Sequence, residues 1–465
     1  MIITKEYAVK YRGDIARIYI SLQSLLKIAS MDAKTSVVAS FKNGMVKIRT
    51  CSPDTPDSFK ILNTSRGAIL EIRKAALGHS LKSMGRALVT ATHNEVTIVP
   101  HPAEIKRIER ESNFKAKLAS GRPLTNGSLY SGIGLKNLHF SNGLKKAGIS
   151  TKTILVNDIC DKALDINVRC NTALDRKGNR TKVVCGDIRE LLMTISMPKL
   201  DFMDISYPCS GMSTLAEDRD LDHPLCGDLF ISTVAAIRAS NPAFFSIECT
   251  PAFKTSKTLQ VMKANLSDYA FKEFMVNSHA HGSLEDRDRV FVFAISKGLA
   301  NLISGLDQIE PQRRTVPPLK TLLETIPDNS PRWKSYDYAR SDAPQGLNYK
   351  GCVIDSSATK IPTLIATYGS AKRGSPLLAH PTIPGLYRLL TPNEHALIKM
   401  VPEQYQQEIS RIVSGESHLT TSRGSNTLAH KLLGMSVEKF VWEDAGREIG
   451  QTIISRIFDD LLTAA

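Results

Sequence analysis

Between residues 128 and 295 the chain alternates short, β-tolerant apolar runs with helical stretches, and nearly every run stops at a polar residue. This alternation leaves few folds open. Strands joined through helices lie parallel in one sheet, with the helices covering its faces. The runs are 128–130, 153–156, 182–185, 201–206, 243–247 and 289–295. Their tips carry Ser131, Asn157 and Asp158, Asp187, Cys209 and Glu248. Open sheets of this class bind ligands beyond the C-terminal strand ends. One polar tip alone is more often a cap or a turn residue; four in succession point to a site.

The stretch DFMDISYPCSGMS (201–213) is the sharpest of these. Pro208 restricts φ just before Cys209, and Gly211 lets the chain turn just after it. A single thiol is thereby presented at a strand mouth, although a lone cysteine is more often a small buried hydrophobe. The glycine turn Ser131-Gly132-Ile133-Gly134 follows the first run and permits close backbone approach to a cofactor. Asp158, at the tip of the second run, suits ribose hydroxyls, and Asp187 suits an adenine amino group.

The 465 residues carry a net charge of +14, unevenly spread. Residues 1–120 hold 20 Lys/Arg against 10 Asp/Glu, and residues 296–387 hold 11 against 7, so the remainder is neutral. Two basic segments flanking a neutral core suggest an enzyme with two polyanion-contacting attachments, or a surface that is merely well solvated. No apolar run of about 18 residues occurs, and Met1 to Ile20 includes Lys5, Lys10, Arg12 and Arg17, so neither a membrane span nor a signal peptide is expected. The eight cysteines show no CxxC pair or metal spacing, which argues for a reducing cytoplasm and against zinc.

Residues 1–100 read as a β-rich, basic domain with an internal repeat of strand, short helix and hairpin. The first hairpin, SVVASF and MVKIRT, turns at Lys42-Asn43-Gly44, and the second, RALVTAT and EVTIVP, at His93-Asn94. The unit resembles the swapped-hairpin DNA-binding domains of the AbrB type, which work as dimers; a tandem pair could supply that dyad in one chain. A small β domain packing on the core is the competing reading. Residues 101–120 form a charged helical linker ending at Gly121-Arg122-Pro123.

The succession SLYSGIG, VNDI, GDI, PCSGMS, GDLF, IEC and EDRDR, with RLLTPNE from Arg388 and Gly450-Gln451-Thr452 near the end, resembles the DNA cytosine-5 methyltransferases over residues 125–465. The resemblance implies an α/β fold: a Rossmann-like class I methyltransferase domain of residues 121–296 and 388–465, with a small target-recognition domain (297–387) inserted. It makes Cys209 the nucleophile that adds to cytosine C6. Glu248 becomes the group at N3, which must hold a proton near neutral pH. Arg289 binds the base oxygen and Arg287 holds the loop. S-adenosyl-L-methionine would lie against Tyr130, Ser131, Gly132, Ile133, Gly134, Asn157, Asp158, Ile159, Asp187, Ile188, Pro208, Leu229 and Thr452. Ser210 and Ser213 fall on the substrate side, and Arg313, Arg314, Lys350, Lys372 and Arg373 are recognition candidates. The implied partner is double-stranded DNA with a flipped base, in a bacterial or phage-infected cytoplasm, alone or beside a cognate restriction endonuclease, with no metal and no membrane. The oligomeric state stays open.

Five positions depart from the family pattern. Eight residues separate Gly134 from Gly143, Ser210 stands for a common Gln, Cys249-Thr250 for Asn-Val, Glu285 for a frequent Gln, and Gln451 for Asn. They keep two rivals in view: a DNA-binding regulator with a degenerate core, and an RNA cytosine-5 methyltransferase.

Overall fold

The computed structural model describes residues 1–464 apart from 43, 83, 179, 213–217 and 341–352. Ser213, Lys350 and the Asn43 turn therefore lie outside the described residues. The chain divides into two compact units, Met1–Glu109 and Arg110–Ala465.

The first unit contains β1 (Ile3–Arg12), β2 (Ile15–Ile20), α1 (Gln23–Ile28), β3 (Ser36–Lys42), β4 (Met45–Thr50), β5 (Phe59–Lys60), β6 (Leu62–Thr64), β7 (Gly67–Lys74), α2 (Ala75–Ser80), β8 (Arg86–Thr92) and β9 (Glu95–Pro100). They form one sheet in the order β5-β3-β4-β9-β8-β1-β2-β7-β6. Strand, helix and hairpin occur twice, and equivalent strands pair with one another: β2 with β7 at Ile18↔Ile72, β4 with β9 at Ile48↔Val96. Strict alternation gives the sheet two characters. Ile18, Ile72, Val46, Val89 and Ile98 point inward and are covered by Leu25 and Leu26 of α1 and Leu77 of α2. The opposite face is polar. β1 has no counterpart in the sequence reading, because ITKEYAVKYR is too charged to look like a strand; only its inward residues Tyr7 and Val9 are buried.

In the second unit, which begins inside α3 (Pro102–Ala119), follow β10 (Leu124–Leu129), α4 (Leu135–Lys146), β11 (Thr151–Asp158), α5 (Asp161–Cys170), β12 (Lys182–Cys185), α6 (Leu191–Thr194), β13 (Phe202–Ser206), α7 (Leu229–Ser240), β14 (Phe244–Cys249), α8 (Lys257–Asn265), β15 (Tyr269–Asn277), β16 (Glu285–Asp286) and β17 (Asp288–Ser296). The central sheet runs β12-β11-β10-β13-β14-β17-β15. β14 reads FFSIEC and is buried throughout, as a strand covered on both faces must be. One strand departs from the all-parallel expectation: β17 is antiparallel to both neighbours, because a loop rather than a crossover helix joins it to β15. Strand order reverses between β10 and β13, which makes a crevice at their C-terminal ends.

The rest comprises α9 (Asp337–Arg340), β18 (Val353–Ile354), β19 (Ile361–Pro362), β20 (Leu377–Ala379), β21 (Tyr387–Arg388), α10 (Pro392–Ile398), α11 (Glu403–Ser414), α12 (Asn426–Gly434) and α13 (Lys439–Ala464). Leu284, Leu319, Ile354, Ile361, Leu364, Tyr368 and Leu378 form a separate apolar cluster with Leu390 and Ile398. The RLLTPNE stretch is structural: Thr391 and Glu394 make a capping box for α10, and buried Glu394 is clasped by Arg388 at 2.6 and 2.7 Å. α13 packs along α4 at glycine contact. A Cβ on Gly143 would stand 2.2 Å from the Glu443 carbonyl, and one on Gly446 2.3 Å from that of Phe140. Gly143 therefore serves helix packing rather than the ligand loop, which accounts for its distance from Gly134. Among the described residues no helix is long and apolar enough to cross a membrane.

Candidate active site

Four strand ends converge. β13 runs into Tyr207 and Pro208 and delivers Cys209, whose side chain is solvent-accessible. This loop is tied to the adjacent strand: the Tyr207 amide donates to the Glu248 carbonyl at 2.9 Å, and the Met212 amide closes the turn onto the Cys209 carbonyl at 2.9 Å. Glu248, at the end of β14, is 8 % exposed. Its carboxylate accepts from Arg289 Nε at 2.9 Å, across the antiparallel β14–β17 register. The surrounding protein and then the Glu248 charge push the Cys209 thiol pKa above its ordinary value, while Arg289 and Arg287 pull it down. Burial is the larger of the two upward influences on the thiol and the Glu248 charge the second. Ser210 approaches Cys226, with Oγ to Sγ at 3.1 Å.

Arg287 is buried one strand-turn away. It donates to the Gly434 carbonyl at 3.2 Å and faces Glu285 at 3.4 Å and Glu438 at 3.5 Å. Lys399, with no exposed surface, bridges the same two acids at 2.7 and 2.8 Å. Two cations and two anions therefore balance in the interior, where any one left unpaired would be costly. The departure at Glu285 is explained: Lys399 and Arg287 compensate its charge, and its Oε1 also accepts the Leu364 amide at 2.8 Å. One buried acid thereby fastens the 361–364 segment to the loop carrying the two arginines.

The glycine turn leads from β10 into α4. The Ser131 amide donates to the Asn157 carbonyl at 2.9 Å, and the Gly132 amide to Asp158 Oδ2 at 2.7 Å. Gly132 has φ +51, and a Cβ added to it would meet nothing within 4 Å, so its face is open; at Gly134 a Cβ would strike Asn167 Oδ1 at 2.3 Å. Each Asp158 oxygen takes one backbone amide, Gly132 or Cys160, and keeps acceptor capacity for a hydroxyl. Burial raises the Asp158 pKa against those amides. Ile159 is 71 % exposed, an apolar side chain set beside that acid. Open glycine backbone, a carboxylate with spare acceptors and a bare apolar side chain fit a nucleoside.

Not every residue singled out is free for a ligand. Asn157 spends its amide on the Val184 and Gly186 carbonyls at 3.1 and 3.0 Å, clamping the tips of β11 and β12. Asp187 is held by Arg189, which also grips Asp228 and so joins the GDI and GDLF stretches. Ile188 is buried in the core, Leu229 lies at the start of α7, Pro208 is half-buried, and the Tyr130 hydroxyl meets Thr233 at 2.9 Å.

Two assignments are corrected. Thr452 lies inside α13, its hydroxyl bonded to the Glu448 carbonyl at 2.8 Å. A Cβ on neighbouring Gly450 would meet Ala147 at 2.6 Å, at the far end of α4 from Gly134. Twelve helical residues at about 1.5 Å each separate those ends by about 18 Å, so Thr452 and Gln451 are away from the crevice. The earlier stretch Gly434-Met435-Ser436-Val437 has the same Gly-x-hydroxyl-aliphatic pattern and does reach the site, through the Gly434–Arg287 bond. Arg314 is the second correction. It is paired through both terminal nitrogens with buried Asp444 at 2.7 Å and lies over the Phe440 ring at 4.1 Å, so it braces α13 instead of facing a ligand. Arg313, Lys372 and Arg373 are exposed.

Lys136 escaped the sequence reading. In the first turn of α4 it is 3 % exposed and donates to Asp204 at 2.5 Å, the Ile205 carbonyl at 3.0 Å and Ser246 at 3.1 Å. It joins the glycine turn to the strands that deliver Cys209 and Glu248. Among the described residues no group of three or more His, Cys, Asp or Glu could hold a metal ion.

The pattern of the C-5 cytosine-specific DNA methylases matches residues 124–417. No curated protein matches the chain. Solved structures similar to it include the S. pombe Dnmt2 methyltransferase (16 % identity, 73 % of this chain and 99 % of that one, TM-score 0.48). Others are the Entamoeba histolytica methyltransferase EhMeth (17 %, 73 % and 99 %, 0.47) and a putative DNA modification methyltransferase encoded within an E. coli prophage (18 %, 72 % and 99 %, 0.46).

Proposed function

The chain belongs to the C-5 cytosine-specific DNA methylase family, and from that premise we propose that it methylates cytosine C5 in duplex DNA, with S-adenosyl-L-methionine as donor. The observation that carries this reading is the joining of Cys209, Glu248 and Arg289 at adjacent strand ends, with Glu248 and Arg289 already paired.

Cytosine C5 is a weak nucleophile, and addition of a thiolate to C6 activates it. The base must leave the stack to reach Cys209. Bound there, it meets Glu248 at N3 and Arg289 at the carbonyl oxygen. Burial and then the Glu248 charge raise the Cys209 pKa; a proton shared between Glu248 and N3 removes the second of these, so docking of the base and ionisation of the thiol are linked. Arg289 suits its place because guanidinium keeps its charge and offers several donors, one for Glu248 and others for the base. S-adenosyl-L-methionine, when bound, supplies an electrophilic methyl group. The glycine turn, Asp158 and Ile159 would hold it, and Lys136 would keep that turn in register with the thiol. Loss of the C5 proton then expels Cys209. Residues 297–387, with exposed Arg313, Lys372 and Arg373, would contact the target strand.

The test is transfer of labelled methyl to mixed-sequence duplex DNA, with nucleoside analysis. Appearance of 5-methylcytosine upholds the reading. Label in tRNA but not in duplex DNA moves the enzyme to RNA, and no label in either, with both ligands bound, favours the regulator.

A further inference from the structure

The polar face of the first unit's sheet carries a charge arrangement that stability does not explain. In the register of β1, β2 and β7, Lys10 lies directly opposite Arg17, and Arg17 directly opposite Arg73. Strands are about 4.8 Å apart, so three cations stand in one row across three strands. Arg12 continues the patch two residues along β1, opposite Ile15. All four are exposed. Like charges facing each other across strands cost about 0.2–1 kcal/mol per pair. Arg17 has a counter-ion in Glu71 at 2.7 Å, but Lys10, Arg12 and Arg73 have no ion-pair partner among the described residues. Elsewhere on the same face several cations are matched, Arg49 and Lys47 by Glu95 and Arg86 by Glu6 and Glu104, while Lys42 and Lys60 stand apart from one another. Beside the open row stand Tyr19, 44 % exposed, and Ile15, 40 % exposed.

We propose that Lys10, Arg12, Arg17 and Arg73 form a second nucleic-acid surface, which binds the phosphate backbone of duplex DNA without reading its sequence. It lies outside the region that carries the family pattern. The identification of the polyanion as duplex DNA rests on the function proposed above; the charge row does not. Cations in a row meet successive phosphates and release their counter-ions, while the flanking Tyr19 and Ile15 pack on sugar edges. Such a surface would hold the chain on DNA between target sites and lower the KM for long substrates.

The test uses full-length protein in which Lys10, Arg12 and Arg73 are changed together to Ala, leaving the Arg17–Glu71 pair. Binding to a fluorescent duplex without target cytosines is followed by anisotropy from 50 to 300 mM salt, with no cofactor present. We expect about 10- to 100-fold weaker binding near 100 mM salt, and a log–log salt slope shallower by about 2 to 3, since each phosphate contact contributes about 0.9. The companion variant Lys10→Arg, Arg12→Lys, Arg73→Lys should bind like the parent. Unchanged affinity and slope in the triple-Ala protein overturn the proposal, as does equal loss in the charge-keeping variant. Tighter parental binding to phosphatidylserine vesicles or to single-stranded RNA than to the duplex overturns the choice of occupant. Because no methyl transfer is read, absence of 5-methylcytosine would sink the catalytic reading and leave this result standing, and the reverse holds equally.

Discussion

The two sheets of this protein treat charge in opposite ways. At the C-terminal edge of the catalytic sheet opposite charges are set together: Arg289 with Glu248, Arg287 and Lys399 with Glu285 and Glu438, Lys136 with Asp204. On the open face of the first unit's sheet, Lys10, Arg17 and Arg73 are set side by side. The difference matches the two roles proposed for them. A reacting centre needs groups fixed to within a fraction of an ångström, and burial with a partner supplies that at a desolvation cost. A surface that meets a polyanion gains more from cations left in water with their counter-ions still to release.

The comparison is broken most severely at the nucleophile. Cys209→Ala should reduce methyl transfer to background in a labelled-methyl assay while DNA binding, measured by anisotropy, survives. Next is Glu248→Gln, expected to lower kcat by about 10²- to 10⁴-fold, the usual range for a positioned acid or base. The same change should speed alkylation of Cys209 by iodoacetamide at pH 7 to 8. The Glu248 charge raises the thiol pKa and Arg289 lowers it, so removing the acid lowers the pKa and increases the thiolate fraction. Slower alkylation in that variant would contradict the electrostatic account.

Lys399→Met sharpens the contrast through stability. It leaves Glu285 and Glu438 buried beside Arg287 alone and should cost about 3–5 kcal/mol by chemical denaturation. The triple change on the open face should cost less than about 0.5 kcal/mol. Acid should act on the matched side as well. Arg314 and His281 hold Asp444 down to about 2 from an ordinary 3.8. A depressed carboxylate stabilises the fold above its unfolded value, and that contribution is lost as pH falls from 3.8 through about 2. In Asp444→Asn the decline of Tm across this window should be shallower. The smallest effect is expected at Thr452→Ala: KM for S-adenosyl-L-methionine within about twofold of the parent, since about 18 Å of helix separates it from the glycine turn.

Six strands of the sheet and their polar tips were legible in the sequence because each depends on local pattern, and the family resemblance pointed to Cys209, Glu248 and Arg289. Period-two and buried apolar runs define strands, and a Pro-Cys-x-Gly turn needs only its own residues. Lys136, Lys399 and Glu438 were not legible. A charged residue looks like surface until its partner, about 70, 110 or 40 positions away, is brought beside it by the fold (Asp204, Glu285 and Lys399). Arg314 misled for the same reason, since nothing near it announces Asp444.

Sequence by itself therefore determined six of the seven strands of the catalytic sheet, the chemical types at their ends and the family, all of which rest on neighbours in the chain; the edge strand β15 was not among the runs. Tertiary structure alone decided which cations are spent and which are left open. It placed Gly434, not Gly450, at the site, and it lined Lys10, Arg17 and Arg73 in one row. The physical reason is that an ion's role depends on the charge within a few ångströms of it and on the water around it, and sequence distance records neither.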